Sequence, residues 1–246
     1  MRSGKVRDDY KAEIRECKCG LVYLANVKSC NYEKSEMRVN DSLEEVQRDD
    51  LRRFEYVRGA IRNKNVLDFG CGLGGFIAHV ETIANRVCGV EADKHLIGGN
   101  VYKSIKEVEG RFDVITAWHV IEHLPDPIKT LKELKEKLTG YLYIEVPNAD
   151  DALLTLYQNK AFSEFTYWSC HLHLFNSNTL RSLLQKANLE IDYIEHIQRY
   201  PLSNHLYWLA NGKAGGHKIW PSLDSKDYEH NLAKLGMTDT LIARCR

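Results

Sequence analysis

Two groups of residues in this chain are typed and spaced for chemistry. The first is the run Val66-Leu67-Asp68-Phe69-Gly70-Cys71-Gly72-Leu73-Gly74-Gly75, followed about twenty residues on by Glu91. Glycines in such a run let the backbone turn sharply and come bare against a ligand. Gly70, Gly72 and Gly75 match the spacing of a nucleotide-binding strand, turn and helix, and Glu91, at the end of the apolar run 87–90, stands where a ribose-binding carboxylate belongs. Asp68 is the unusual member. A strand serving a dinucleotide is normally apolar to its end, whereas a carboxylate there can meet a cationic ligand. S-adenosylmethionine carries an ammonium and a sulfonium and has no pyrophosphate to lay on a helix N-terminus.

The second group is built on histidine. His119, Glu122 and His123 follow the apolar run 112–118 and fall on one face of a helical turn, which suits a metal, a general base or plain helix packing. His171 and His173 lie in an aromatic run with Phe162, Phe165, Tyr167, Trp168 and Phe175. That run reads as a lid, and in an extended strand its two histidines share a side, where one can take a proton. Further on, 199–237 holds Arg199, Asn204, His205, Tyr207, Lys213 and His217. It is too polar and aromatic for a linker and reads as a substrate-specifying insert whose cations suit an anion. Cys17, Cys19 and Cys30 do not have the Cys-x-x-Cys spacing of a zinc knuckle, so no metal is assigned there.

The elements that must position these residues follow from periodicity. Leu43, Val46, Leu51, Phe54, Val57 and Ile61 predict one helix or two short ones over 41–61, with Asn40, Asp41 or Ser42 as cap. Strands are expected at 66–69, 87–90, weakly at 100–104, at 112–118, 141–146, 191–197 and 240–243. Between them come helices at 76–84, from Pro127 to a stop at Gly140, at 152–159, and from a cap at Ser177 or Asn178 through Ala187. Alternation of this kind gives an α/β, doubly wound sheet whose ligands sit beyond the carboxyl ends of the strands.

Composition narrows the partners. The 246 residues include 43% hydrophobic residues, enough for one sizeable core, and carry 34 basic against 34 acidic side chains. No overall field draws the chain to nucleic acid or an anionic membrane, and no apolar run approaches the ~20 residues of a membrane span. A cytoplasmic protein with reduced thiols is expected from seven scattered cysteines. Its expected partners are a small-molecule acceptor and at most a second copy in a homodimer.

The stretch Asp68, Gly70, Gly72, Gly74 resembles motif I, D-x-G-x-G-x-G, of the class I S-adenosylmethionine-dependent methyltransferases. The stretch 119–127 is similar to the segment after strand four in the group that includes the ubiquinone-pathway O-methyltransferases. Glu-x-x-Glu-His is typical there, and His119 stands at the first glutamate. The resemblance implies a Rossmann-like seven-stranded sheet with its last strand antiparallel, an N-terminal extension 1–56 with a helical lead-in, and a methyltransferase domain 57–246 containing the insert. It implies S-adenosylmethionine as cofactor, held by Asp68, Gly70, Cys71, Gly72, Glu91, Ala92, Trp118 and His119. His171 is the first choice as catalytic base, with His119 and His123 behind it. Tyr167, His173, Arg199, Asn204, His205 and Tyr207 are the expected acceptor contacts, and Tyr32 or Arg38 would lie near the cofactor mouth.

His-x-His segments like this one also occur in methyltransferases of surface-polysaccharide clusters. That resemblance implies methyl transfer to a hydroxyl or amine of a sugar nucleotide or a phosphorylated small molecule, such as an amino-alcohol phosphate, in surface-glycan assembly. The alternatives are an NAD-dependent sugar-modifying oxidoreductase and a non-catalytic binding protein of the same fold.

Overall fold

A computed structural model describes residues 2–5, 7–8, 11–26 and 43–246. The N-terminal strands are β1 (Arg2–Lys5), β2 (Lys11–Glu16) and β3 (Val22–Leu24), followed by helix α1 (Leu43–Ile61). Next come β4 (Asn65–Phe69), α2 (Gly75–Val80), β5 (Arg86–Val90), β6 (Val101–Tyr102), β7 (Phe112–Trp118), α3 (Pro127–Lys137) and β8 (Leu138–Pro147). The chain then forms α4 (Lys160–Thr166), β9 (His173–Leu174), α5 (Ser177–Lys186), β10 (Ile191–Ile197), α6 (Leu202–Asn211), α7 (Gly216–Ile219), α8 (Lys226–Leu235) and β11 (Thr240–Cys245). Tyr32, Arg38, Cys30 and the caps Asn40, Asp41 and Ser42 lie outside the described residues.

Apolar runs covered on both faces make the seven-stranded sheet, in the order β10-β11-β8-β7-β4-β5-β6. The strands from β4 to β8 run parallel, and β11 lies antiparallel between β8 and β10. This is the expected seven-stranded mixed sheet. Alternation along β4 divides the core: Val66 joins Phe54, Val57, Ile61, Phe76 and Val80 under α1 and α2, while Leu67 joins Leu131, Leu134, Leu180 and Leu184 under α3 and α5. Asp68 shares a side with Val66, so its carboxylate lies under α1.

Three local expectations change. Over 152–159 the chain makes turns instead of a helix: Asp151 Oδ1 accepts from Leu153 N, Gln158 takes a left-handed φ of 47°, and Asn159 caps α4 by accepting from Phe162 N. Gly140 does not end α3. It lies in β8 opposite a register shift in β7, where a Cβ would stand 2.3 Å from Asp113 O. The cap of α5 is Asn176, in a capping box with Thr179, one residue before the expected position.

The N-terminal strands form a second, antiparallel sheet, β1-β2-β3-β9, in which Tyr23 pairs with His173 and Val22 with Leu174. Residues of the 1–56 segment therefore share a sheet with the histidine-bearing loop, and position 57 falls inside α1. Cys170, on that loop, is disulfide-bonded, which departs from the expectation of reduced thiols throughout; Cys17, Cys19, Cys71, Cys88 and Cys245 are thiols outside any disulfide. Among the described residues no helix is long and apolar enough to cross a membrane.

Candidate active site

The turn between β4 and α2 is glycine by necessity. Gly70, Gly72 and Gly74 have φ of 79°, 59° and 78°, a region that side-chain-bearing residues rarely enter, and a Cβ on Gly70 would lie 2.3 Å from Val120 Cγ2. Beside the turn stand both carboxylates singled out by sequence. Glu91 follows β5 and is buried; its Oε2 accepts from Gly72 N at 2.8 Å and its Oε1 from Asp93 N at 3.1 Å. Ala92, next in the chain, is exposed, and Cys71 is buried in the turn.

Asp68 is 2% exposed and accepts a hydrogen bond from Thr116 Oγ1 at 2.7 Å. Burial pushes its pKa up to about 7; the Thr116 hydrogen bond and Arg53 pull the other way, and Asp50 and Glu91 add to the rise. A carboxylate in that condition gains from a positive ligand. Trp118, at the end of β7, is buried with its indole Nε1 lacking a hydrogen-bond partner. A left-handed glycine turn, a ribose-type carboxylate, a buried acid and an orphaned donor fit the adenosyl, ribose and amino-acid parts of S-adenosylmethionine.

An ionic network that sequence reasoning missed closes the site from above. Glu145, near the end of β8 and opposite Trp118 in register, is fully buried. It receives Arg52 Nη2 at 2.7 Å on one oxygen and, on the other, Arg53 Nη2 at 2.8 Å and Nε at 3.0 Å. Burial opposes its charge, yet Arg53, His119 and Arg52 hold its pKa well below the usual carboxylate value. Asp50, on the same turn of α1, reaches over the glycine turn, where a Cβ on Gly75 would meet its Oδ2 at 2.2 Å. The signal available in sequence was the pairing of Asp49 with Arg52 and of Asp50 with Arg53 three residues apart, which ordinarily marks a solvated helix face.

His119 sits immediately after β7 with a left-handed φ of 53°. Its Nδ1 donates to Glu122 Oε1 at 3.0 Å and its Nε2 stands 3.0 Å from Glu145 Oε1. Burial and Arg199 disfavour the imidazolium, but the two carboxylates outweigh them and the pKa rises above its ordinary value. With carboxylates near both nitrogens, His119 is biased toward its charged form and is not placed as a free base. Beyond it, the helical turn Ile121–His123 directs Glu122 and His123 toward the loop bearing His171. His123 and His171 rings lie 4.9 Å apart, and Trp168 packs edge-on against both. Burial and the neighbouring His123 push the His171 pKa down to about 3, so it is neutral at ordinary pH.

The expected acceptor residues are only partly gathered here. His173 is close, with Nε2 donating to Leu124 O at 3.2 Å. Tyr167 is buried with Ile14, Leu24 and Leu174 in the core of the small sheet. Arg199 has its charge met by Asp49 at 3.1 Å and Asp239 at 3.2 Å, so it ties α1 to the end of the sheet instead of facing an anion. In the insert, Asn204 Oδ1 accepts from Gly215 N and His205 Nδ1 bonds Tyr228 Oη at 2.7 Å, both buried; Tyr207 packs edge-on against Trp220. These three hold the insert together. Lys213 is exposed, and His217 stands 3.6 Å from Glu45.

A profile of the methyltransferase domain family matches residues 42–194, from the lead into α1 to within β10. The chain belongs to this family. Among curated proteins, the methyltransferase is 25% identical over 179 residues to a ubiquinone biosynthesis O-methyltransferase of Acinetobacter baylyi, covering 62% of this chain and 74% of that one. It is 27% identical over 180 residues to the Pseudomonas aeruginosa protein of the same name, covering 63% and 76%. Among solved structures, a SAM-dependent methyltransferase from Archaeoglobus fulgidus superposes with a TM-score of 0.54 at 21% identity, covering 82% of this chain and 93% of that one. Magnesium protoporphyrin IX methyltransferase of Synechocystis, with bound SAH, superposes at 0.51 and 13% identity, over 81% and 82%. The methyltransferase fold is thus shared, and the oxidoreductase alternative falls. The surface-glycan assignment finds no support among these relatives.

Proposed function

We propose that this methyltransferase uses S-adenosylmethionine to methylate a hydroxyl of a small acceptor held beyond the ends of β7 and β8. The observation that carries the reading is the left-handed glycine turn flanked by Asp68 and Glu91 on adjacent strands. Glu91, with Gly72 fixed against it, takes the ribose hydroxyls, and Asp68 with Trp118 faces the amino-acid part. When bound, the cofactor supplies a methyl group already activated on a sulfonium. What remains for the chain is to align the acceptor and lower the cost of losing its proton. On this wall the groups suited to that task are His171, His123 and Glu122, with His119 held by Glu122 behind them.

The names of the curated relatives favour a hydroxyl over an amine and an aromatic acceptor over a sugar nucleotide. The pairing of Arg199 points the same way, because it removes the cation best placed for a phosphate. The flat rings of Trp168, His123 and His171 suit an aromatic face. Incubation of the purified chain with S-adenosylmethionine and two acceptor sets, hydroxylated aromatics and sugar nucleotides, tests this by mass. Gain of one methyl by a hydroxylated aromatic is expected. Methylation confined to sugar nucleotides would overturn the acceptor reading and restore the glycan one.

A further inference from the structure

We infer that Glu122, His123 and His171 form a binding site for one divalent first-row transition-metal ion. One ligand atom from each of the three lies within 4.8 Å of the other two. Ligands about 2.1 Å from a tetrahedral ion are about 3.4 Å apart, so closure asks only for side-chain rotation of about an ångström.

Proton placement favours a cation over an ordinary hydrogen-bonded cluster. His123 Nδ1 donates to Cys170 O at 2.7 Å and His171 Nδ1 donates to Thr166 O at 3.1 Å. Each imidazole therefore carries its proton on Nδ1 and its lone pair on Nε2, the tautomer of an Nε2 metal ligand oriented by a backbone carbonyl. Glu122 adds a fully buried carboxylate whose Oε2 has no hydrogen-bond partner, while Oε1 is engaged by His119. Glu122, His123 and His171 thus bring one ligand atom each within reach of a single ion, and a cation would meet the otherwise unpartnered Glu122 Oε2. The scaffold is held on both sides: Glu122 and His123 by the turn after β7, and His171 by disulfide-bonded Cys170 before it and by the β3–β9 pairing after it.

Two imidazoles and one carboxylate select zinc, manganese, cobalt or iron(II) over magnesium and calcium, which prefer all-oxygen shells. Three protein ligands leave at least one position open. Binding of the ion stands independently of the methyl-transfer reading. Its service rests on that reading: an acceptor hydroxyl in the open position would lose its proton more easily.

The test is titration of the full chain, stripped with chelator, with cobalt(II) and zinc(II), with S-adenosylhomocysteine binding measured on the same samples. Expected are one ion per chain and a cobalt spectrum without a thiolate charge-transfer band. Affinity should fall at least about tenfold in His171→Ala and Glu122→Gln, with S-adenosylhomocysteine binding retained, and stay unchanged in a Cys17→Ser/Cys19→Ser variant. Absence of binding by the wild-type chain would overturn the site. So would a thiolate band lost in the cysteine variant, or undiminished affinity in both ligand variants. If a ligand variant does not fold, the wild-type stoichiometry and spectrum decide. Loss of S-adenosylhomocysteine binding by the wild-type chain would count against the cofactor reading alone.

Discussion

Replacing Asp68 by asparagine should make the ligand-free protein more stable and the cofactor complex weaker. In the folded chain burial, partly offset by Thr116 and Arg53, lifts the Asp68 pKa from 3.8 to about 7. In the unfolded chain the ordinary value returns. Below both values either state carries the proton and Asp68 costs nothing; between them the folded chain holds a proton the unfolded chain has lost, so stability falls as pH rises. Above pH 7 the full cost stands. A lift of roughly three pH units at about 1.4 kcal/mol each gives about 4 kcal/mol, an upper value for a side chain that is 2% exposed. Asparagine keeps an oxygen for the Thr116 hydroxyl and removes the charge. Urea unfolding should therefore show Asp68→Asn more stable than wild type at pH 8, with the gap reduced by more than half at pH 5. Calorimetric titration at pH 8 should show S-adenosylhomocysteine binding at least about tenfold weaker, the scale of one charge-assisted hydrogen bond to its ammonium. Equal stability profiles from pH 5 to pH 8, or equal affinity in the variant, would refute the assignment of Asp68 as a buried acid waiting for a cation.

Gly70→Ala should destabilise the fold by about 1 to 3 kcal/mol and weaken cofactor binding, because the new methyl meets Val120 at 2.3 Å and φ is 79°. Adding Val120→Ala should recover the steric part only, as read by thermal unfolding. Glu145→Ala should cost about 3 to 5 kcal/mol in urea unfolding, since it leaves the buried Arg53 without the carboxylate it chelates and His119 with Glu122 alone. Glu145→Gln should cost less, because the amide oxygen still accepts from an arginine. In the same variants His119 should titrate at lower pH by NMR, since one of the two carboxylates that raise its pKa is gone.

Where sequence and structure agree, the signal was local. The run around Asp68 reads as strand, turn and helix because apolar alternation and glycine chemistry are written within ten residues. Glu91 was found by its distance from the turn. What sequence could not show depends on contacts between distant segments. Arg52 and Arg53 look like the outer face of an amphipathic helix until β8 brings Glu145 beneath them, 93 and 92 residues away. Arg199 looks like an anion anchor until Asp49 and Asp239 are seen on either side. The pairing of Tyr23 with His173 has no trace in composition, since β9 is two residues long and is a strand only because β3 lies beside it. His205 and Asn204 were legible as functional types, but their hydrogen bonds run within the insert, where polar side chains take the place of a larger apolar core.

Calorimetric titration of the purified chain with S-adenosylhomocysteine, wild type beside Glu91→Ala, bears most directly on the adenosyl site. The expected result is one molecule bound per wild-type chain and affinity reduced at least about tenfold in the variant, the scale of removing a charged hydrogen-bond acceptor from two ribose hydroxyls. No binding by the wild-type chain, or equal binding by both, would contradict the placement of the ribose on Glu91 beside the glycine turn.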